Sequence, residues 1–525
     1  MSKVRIDTYK PRLNQDLANF DEHVLKREIR PMLQFVLRTL VTFGVIISGF
    51  LSPGLSTAQA VKAFPTAEGF GANALGGRGG VVCKVTNLND SGSGSLRNCV
   101  QGLTGKRIVI FDISGTIDLS SPLFIQGSSG SYITIAGQTS PGGIQLKCTT
   151  GPCLYVYNGA HDVIIRHLRI RQGATKGGNN LALGLYAPNS QVRDVIVDHC
   201  SIYWNADDTT TIYGDVQNVT FQWNIIAESV TAYAGTSVGK GTIIGSQRPT
   251  VTLHHNLYAH IAMRTPLNQR STIVDFTNNI VYNWGSDAAP SFKGSHAMNW
   301  GIPFQLNPAN TNSAFGNFVN NLYIAGPNST YPGTMFILGN GAGSNGELGG
   351  TKIYTSGNWS PQCPTGCAND WNNGFVDFDT GYKAAVEGKY RVYTPFNTAP
   401  LIVHPTANLR SLVLAIVGAY KPSRDSLDAQ VVNDVKNLTG NIANTGSGGP
   451  WPTLTSGPAP IDTDGDGIPD SWELARDLNP NDPSDGPKVN SNGYTNVENY
   501  LNELAGDVIP SSGSISAPTN LVVVP

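Results

Sequence analysis

A few ionisable side chains carry most of the chemical interest of this chain. The stretch "VDHCSIYWNADD" supplies Asp198, Asp207 and Asp208, "SVGKG" supplies Lys240, "HIAMRTP" supplies Arg264, and "NQR" supplies Arg270. Adjacent carboxylates repel unless a cation joins them, and oxygen donors of this kind suit a hard ion such as calcium. The same pair, Asp207 and Asp208, could instead be the acid and base of a hydrolase, or simply a hydrated acidic turn. Lysine offers a point charge and arginine a planar fork, and both suit the carboxylate of an acidic sugar. The competing reading of Arg264 is an ordinary surface ion-pair partner next to a proline-stiffened turn.

A second acidic set lies far downstream. "DTDGDGIPDSWE" puts Asp462, Asp464 and Asp466 at alternate positions, Gly467 in the sixth place, Asp470 in the ninth and Glu473 in the twelfth. That is the oxygen-ligand spacing of a calcium loop. The stretch that follows, "NSNGYTNVENYLNEL", has Asn490, Asn492 and Gly493 but Asn499 where a glutamate should stand. It is expected to pair structurally with the first half and to bind weakly or not at all.

The elements that must position these groups are short. Fifty-nine glycines and 32 prolines in 525 residues, with abundant Asn, Ser and Thr, favour strands and turns over long helices. From about residue 162 the chain repeats loosely, in "IIRHLRI", "IVDHCSI", "TFQWNII", "TLHHNLY", "DFTNNIV" and "NFVNNLY". The fifth place of each run holds Leu168, Cys200, Asn224, Asn256, Asn279 and Asn321. A unit this small cannot cover its own apolar side and must stack on copies of itself. Short strands with variable insertions predict an all-β fold, a parallel β-helix, in which asparagines at one bend pair their amides from coil to coil. A β-propeller or sandwich is the competing architecture. Equivalent places on successive coils lie about 5 Å apart, so the acids and bases named above can share one groove. "SLDAQVVNDVKNLTG", 426–440, reads as a helix that packs along or caps the solenoid, with Gly440 as its stop.

The expected organisation is an N-terminal extension and signal peptide (1–60), a β-helix domain (61–440), a Gly/Pro/Ser-rich linker (441–460), a small helical calcium module (461–506) and a tail (507–525). The apolar run Leu40 to Leu51 ends in "STAQA", the small-x-small pattern of a signal peptidase site, so cleavage is expected after Ala60 and translation from Met32. A membrane anchor is the alternative, for which the run is short. Of seven cysteines, Cys148 with Cys153, Cys363 with Cys367, and Cys83 with Cys99 are expected to pair in an exported protein, leaving Cys200 as a buried thiol. No histidine stands near these pairs to complete a zinc site. With a formal net charge of -2 and 14% charged residues, no basic footprint for nucleic acid exists, and a charged partner must be met locally. A monomer is expected, with no membrane contact after signal cleavage.

From Phe64 to Gly440 the motifs "FPTAEGFGANALGGRGG", "VTNLNDSGSGSLR", "VIVDHCSIYWNADD", "VTFQWNIIAES", "LHHNLYAH" with "RTP", and "NNIVYNWG" resemble, in order, the secreted pectate lyases of the pectate/pectin lyase superfamily. The resemblance implies a right-handed parallel β-helix that cleaves polygalacturonate or a related acidic plant-type polyuronate by β-elimination, with Ca2+ between protein and substrate. It implies that Arg264 removes the C5 proton, that Lys240 holds a substrate carboxylate with Arg270 as a further substrate contact, and that Asp207, with Asp208 beside it, binds calcium. Asp198 and His199 match a motif that is mainly structural. Because guanidinium groups titrate above about 12, such a site is expected to work best at alkaline pH. The chain departs from the pattern at Asn180 and Leu181, where relatives carry acidic ligands, at Thr211, and at Arg270, one residue further along than usual. A polygalacturonase-type hydrolase using Asp207 and Asp208, and a non-catalytic carbohydrate-binding β-helix, are the alternatives.

Overall fold

The computed structural model describes residues 61–149, 151–173, 181–205, 207–230, 239–246, 250–268, 273–285, 298–300, 315–329, 336–338, 352–360, 376–378, 388, 390–442 and 448–507. The expected signal peptide with Met32 and Ala60, Asn180, Arg270, the Cys363 and Cys367 pair, and the tail beyond Asp507 lie outside the described residues.

Every strand pairing within the two sheets is parallel, which excludes a propeller or an antiparallel sandwich. One sheet has eight strands that follow chain order, from Gly115–Leu119 through Ser201–Tyr203 to Leu322–Ile324. The other, of 17 strands, contains two ladders fused where Leu183–Asp198 and Asp208–Gln222 each run through both, with a register shift between Ala187 and Val192. These ladders form the walls of a parallel β-helix. Its interior is a continuous apolar column, including Val109, Ile135, Val163, Val195, Val219, Val251 and Val274 from one ladder. Each repeat is nearly blank without its neighbours, because a three- to five-residue strand buries its side chains only against the coils above and below.

The bends explain the repeat. His167, His199, Trp223, His255, Asn278 and Asn320, each just before a seam residue, adopt positive φ between 49° and 56°. At the last four of these the strained corner is held by the asparagine that follows. Asn224 Nδ2 donates to the Val197 carbonyl at 3.0 Å and to Asn256 Oδ1 at 2.9 Å. The pattern continues from Asn256 to Asn279 at 3.0 Å, Asn279 to Asn321 at 3.2 Å and Asn321 to Asn358 at 2.9 Å. Asn358 extends the seam by one rung beyond the sequence expectation. At the other end Cys200 donates its backbone N–H to Asn224 Oδ1 at 2.8 Å, and its thiol is free and buried.

Two helices, Thr406–Ile416 and Ser426–Asn437, lie along the outer face of the eight-stranded sheet. Leu409, Val413, Val431 and Val435 pack there on Ile225, Leu257 and Ile280. The second helix ends at Asn437, with Leu438 left-handed, three residues before the expected range closes. Its Asp425 cap and Asp428 meet two buried arginines of the sheet. Arg169 Nε and Arg171 Nη2 donate to Asp425 at 2.8 and 2.7 Å, and Arg171 also reaches Asp428 at 3.1 Å. Disulfides join Cys83 to Cys99 and Cys148 to Cys153. In the stretch 441–460, Trp451 stacks edge-on against Trp204, so the described part of this segment lies on the β-helix.

Candidate active site

Three consecutive rungs bring the predicted groups together. Asp208 opens the strand Asp208–Gln222 and pairs in register with Lys240, which opens Lys240–Ser246; Lys240 in turn bridges to Met263, the neighbour of Arg264. Lys240 N–H donates to the Asp207 carbonyl at 3.1 Å, and Thr242 N–H donates to the Arg264 carbonyl at 2.7 Å. A Cβ at Gly241 would lie 2.5 Å from that same carbonyl, so glycine is what allows the Arg264 segment to approach this closely. Arg264 itself sits at φ 63°, a backbone placement that costs energy for a long side chain and is held here by the Thr242 bond and by the Gly241 N–H, which donates to the neighbouring Met263 carbonyl at 2.9 Å.

The side chains pair across the rungs. Arg264 Nη1 donates to both carboxylate oxygens of Asp208, at 2.7 and 2.8 Å, and Lys240 Nζ donates to Asp207 Oδ1. Burial lifts the Asp208 carboxyl above its ordinary value, and the Arg264 charge opposes that rise. The cluster remains open to solvent: the Asp207 side chain is 38% exposed and that of Lys240 24%. Two acids and two cations thus face one water-accessible strip. The neighbouring rung carries Leu181, buried, with Ala182 N–H donating to the Thr209 carbonyl at 3.2 Å.

Asp198 and His199 belong to the corner and not to this strip. Asp198 is fully buried and accepts from Arg166 Nε at 2.7 Å, Gln222 Nε2 at 2.7 Å and His199 Nδ1 at 2.8 Å. Burial alone would raise its pKa, but His199 and Arg166 hold it well below the usual carboxylate range. The rings of His167, His199, Trp223 and His255 stack from coil to coil at 5.1, 5.9 and 4.2 Å. A second aromatic ladder, half-buried, runs along the strands that lead away from Asp208: Tyr157 with Tyr186 at 6.0 Å and Tyr186 with Tyr213 at 6.2 Å. It escaped the sequence reading, although Tyr157, Tyr186 and Tyr213 share one register.

The C-terminal acidic loop leads into the helix Asp470–Leu474 and is followed by the helix Asn496–Ala505, which Thr495 and Glu498 cap reciprocally. Asp462, Asp464 and Asp466 bring oxygens within 4.8 Å of one another, and so do Asp466, Glu473 and Asp485. Asp470 belongs to neither group and accepts instead from Thr463 N at 2.8 Å and Oγ1 at 2.7 Å. Asp485, outside the motif, stands in its place. Burial and the neighbouring carboxylates push Asp466 and Glu473 each up to about 7. In the second half Asn492 donates to Asn499 at 2.9 Å and Asn490 to Asn496 at 2.7 Å, amide pairs that use groups a calcium ion would need.

The family profile described as pectate lyase matches residues 35–305. Probable pectate lyase C of Aspergillus fumigatus is 33% identical over 459 residues, covering 86% of this chain and 95% of that protein. Its counterpart in Emericella nidulans is 32% identical over 460 residues, with 86% and 95% covered. Among solved structures, pectate lyase II from Xanthomonas campestris aligns over 68% of this chain and 99% of its own, with a TM-score of 0.44 and 15% identity.

Proposed function

The chain belongs to the pectate lyase family, and from that premise we propose that it cleaves pectate, or a related acidic plant-type polyuronate, by calcium-assisted β-elimination at the strip formed by Asp207, Asp208, Lys240 and Arg264. The observation that carries this reading is the in-register stacking of Asp208, Lys240 and the Arg264 segment, which gathers both charge signs on one accessible face.

Each residue has a distinct part. Lys240, a point charge on a flexible stem, exchanges its Asp207 partner for the carboxylate of the uronate whose C5 hydrogen is removed. Arg264, aimed by its Thr242 bond and by Pro266, lies over the strip, attracts the uronate and takes the C5 proton when its guanidinium is neutral. The electron pair left at C5 forms the 4,5-double bond as the C4–O bond breaks, and the leaving oxygen takes a proton from water. Such a base favours alkaline conditions, because guanidinium groups release a proton only above about 12. Arg270 is assigned as a further substrate contact. The oxygen donors of Asp207 and Asp208 suit calcium in kind, and Leu181 adds none, so these two aspartates would hold the ion while substrate and water complete its shell. When bound, calcium supplies the Lewis acidity that draws charge into the substrate carboxylate as the α-proton leaves.

The acidic loop of Asp462, Asp464, Asp466, Asp470 and Glu473 is the second calcium site of this reading. Export through the "STAQA" signal agrees with the two disulfides of the described residues, which persist in oxidising compartments. Among those residues no helix is long and apolar enough to cross a membrane. The test incubates the chain with polygalacturonate at alkaline pH, with calcium and then with a chelator, and follows ultraviolet absorbance of a new 4,5-double bond. Chain shortening without that absorbance would signify hydrolysis by Asp207 and Asp208, and polymer binding without turnover a non-catalytic module.

A further inference from the structure

We propose that the C-terminal module holds a calcium ion between Asp464, Asp466, Glu473 and Asp485, and that this ion locks the module onto the first coils of the β-helix. The inference deepens the reading of the loop as a calcium site, replaces Asp470 with Asp485 in its ligand set and leaves out Asp462, whose oxygens already accept from Lys84 and from the Gly467 N–H.

A cluster of acids alone says little, because exposed carboxylates commonly gather without an ion. Here the decisive group is Glu473, whose side chain is completely buried and whose two carboxylate oxygens have no hydrogen-bond partner. Asp464 Oδ2, Asp466 Oδ2 and Asp485 Oδ1 are likewise buried and unpartnered. Taking an ionised carboxylate out of water without a partner is strongly unfavourable, so an arrangement that aims four of them inward calls for a cation. One oxygen each from Asp466, Glu473 and Asp485 already lie within 4.8 Å of one another. The cradle is also kept open on the side of Asp485: a Cβ at Gly486 would meet Asp466 Oδ2 at 2.3 Å. Hard oxygen donors in this number suit calcium.

The link to the β-helix runs through the loop itself. Ile468 donates its N–H to Asp466 Oδ1 at 2.8 Å, so the residue that would bind the ion also fixes the backbone two positions on. Ile468 is fully buried among Ile108, Ile110 and Ala136 of the first coils, together with Val497 and Leu501 of the module helix. Lys84 of the first strand donates to Asp462 at 2.5 Å, and Arg78 pairs with Glu498 at 2.9 Å. Without a cation the carboxylates repel one another and pull on Ile468; with it, the apolar contact and the two ion pairs close together. Calcium binding by the folded module therefore adds to the stability of the whole chain by linkage.

Terbium in place of calcium tests the ligand set, because Trp472 adjoins Glu473 and sensitises a bound lanthanide. Saturable tryptophan-excited emission, displaced by calcium, is expected in the full chain. It should be lost in Glu473→Gln, Asp485→Asn and Trp472→Phe and retained in Asp470→Asn and Asp207→Asn. Unchanged emission in Asp485→Asn or in Trp472→Phe would overturn the assignment. The lock is read on the unmutated chain, where a chelator should lower the unfolding temperature by several degrees and Trp472→Phe should keep that response. A chelator that removes the terbium site yet leaves the unfolding temperature unchanged would overturn it. Asp207→Asn separates the two readings, since failure at the groove appears in product formation and failure here in terbium emission.

Discussion

Arg264 reaches back across the rung of Lys240 to Asp208, with one guanidinium nitrogen 2.7 and 2.8 Å from the two carboxylate oxygens. A base held by an acid in this way is aimed by it. Asp208→Asn should therefore loosen Arg264 and remove one of the two oxygen donors proposed for calcium. Since a small misplacement of a reacting group costs about 10²-fold, kcat/KM for elimination is expected to fall by at least that factor. Raising calcium should recover only part of it. Initial rates across a calcium series check this, and an unchanged rate would remove Asp208 from the site.

The buried pairing of Arg169 and Arg171 with Asp425 joins a coil to the helix beside it, across 256 and 254 residues of sequence. Asp425→Ala strips the helix cap and leaves two buried guanidinium groups short of a partner. A loss of about 3–5 kcal/mol is expected, with little effect on the turnover of molecules that remain folded. Denaturant unfolding set beside kcat tests both halves.

Three histidines predict an acid limit. Burial is the first cause that lowers His167, His254 and His255, with neighbouring histidines adding to it, His254 down to about 3. Unfolded histidine titrates near 6.5, so below that pH the unfolded chain takes up protons that the folded chain refuses. Stability is complete above about pH 6.5 and declines as pH falls, on the order of 1–2 kcal/mol per histidine by pH 5. The unfolding temperature should drop between pH 7 and pH 5. A flat profile there would contradict the prediction.

The asparagine seam should behave as one unit. Asn256 and Asn279 each satisfy a backbone carbonyl and a neighbouring amide, and Asn256→Ala or Asn279→Ala should cost about 1–3 kcal/mol. Because the two residues bond to each other, the double variant should cost less than the sum. Additive losses would mean that each asparagine acts alone.

These features differ in how far they could be read from sequence. The seam from Asn224 to Asn321 was legible because a coil repeats a short strand, a strained corner and an amide. Asn358 was missed because Gly357, at φ 66°, takes the corner that histidine, tryptophan or asparagine holds elsewhere. Asp207, Asp208, Lys240 and Arg264 could be placed near one another once the coil was assumed, but their ion pairs could not, since partners on different rungs leave no local spacing. Asp425 opposite Arg169 was invisible for the same reason, and Asp485, twelve residues past Glu473, because it falls outside the twelve-residue spacing of the loop. The helix Thr406–Ile416 has apolar residues at helical spacing, and that signal was overlooked.

The most direct test of the central claim compares Arg264→Ala and Arg264→Lys with the unaltered chain on polygalacturonate at alkaline pH, reading unsaturated product and polymer affinity together. Removal of the proton acceptor is expected to lower the elimination rate by about 10²–10⁴-fold, with polymer affinity changed far less. A variant that still forms the 4,5-double bond at the original rate would contradict the assignment of Arg264 and the mechanism built on it.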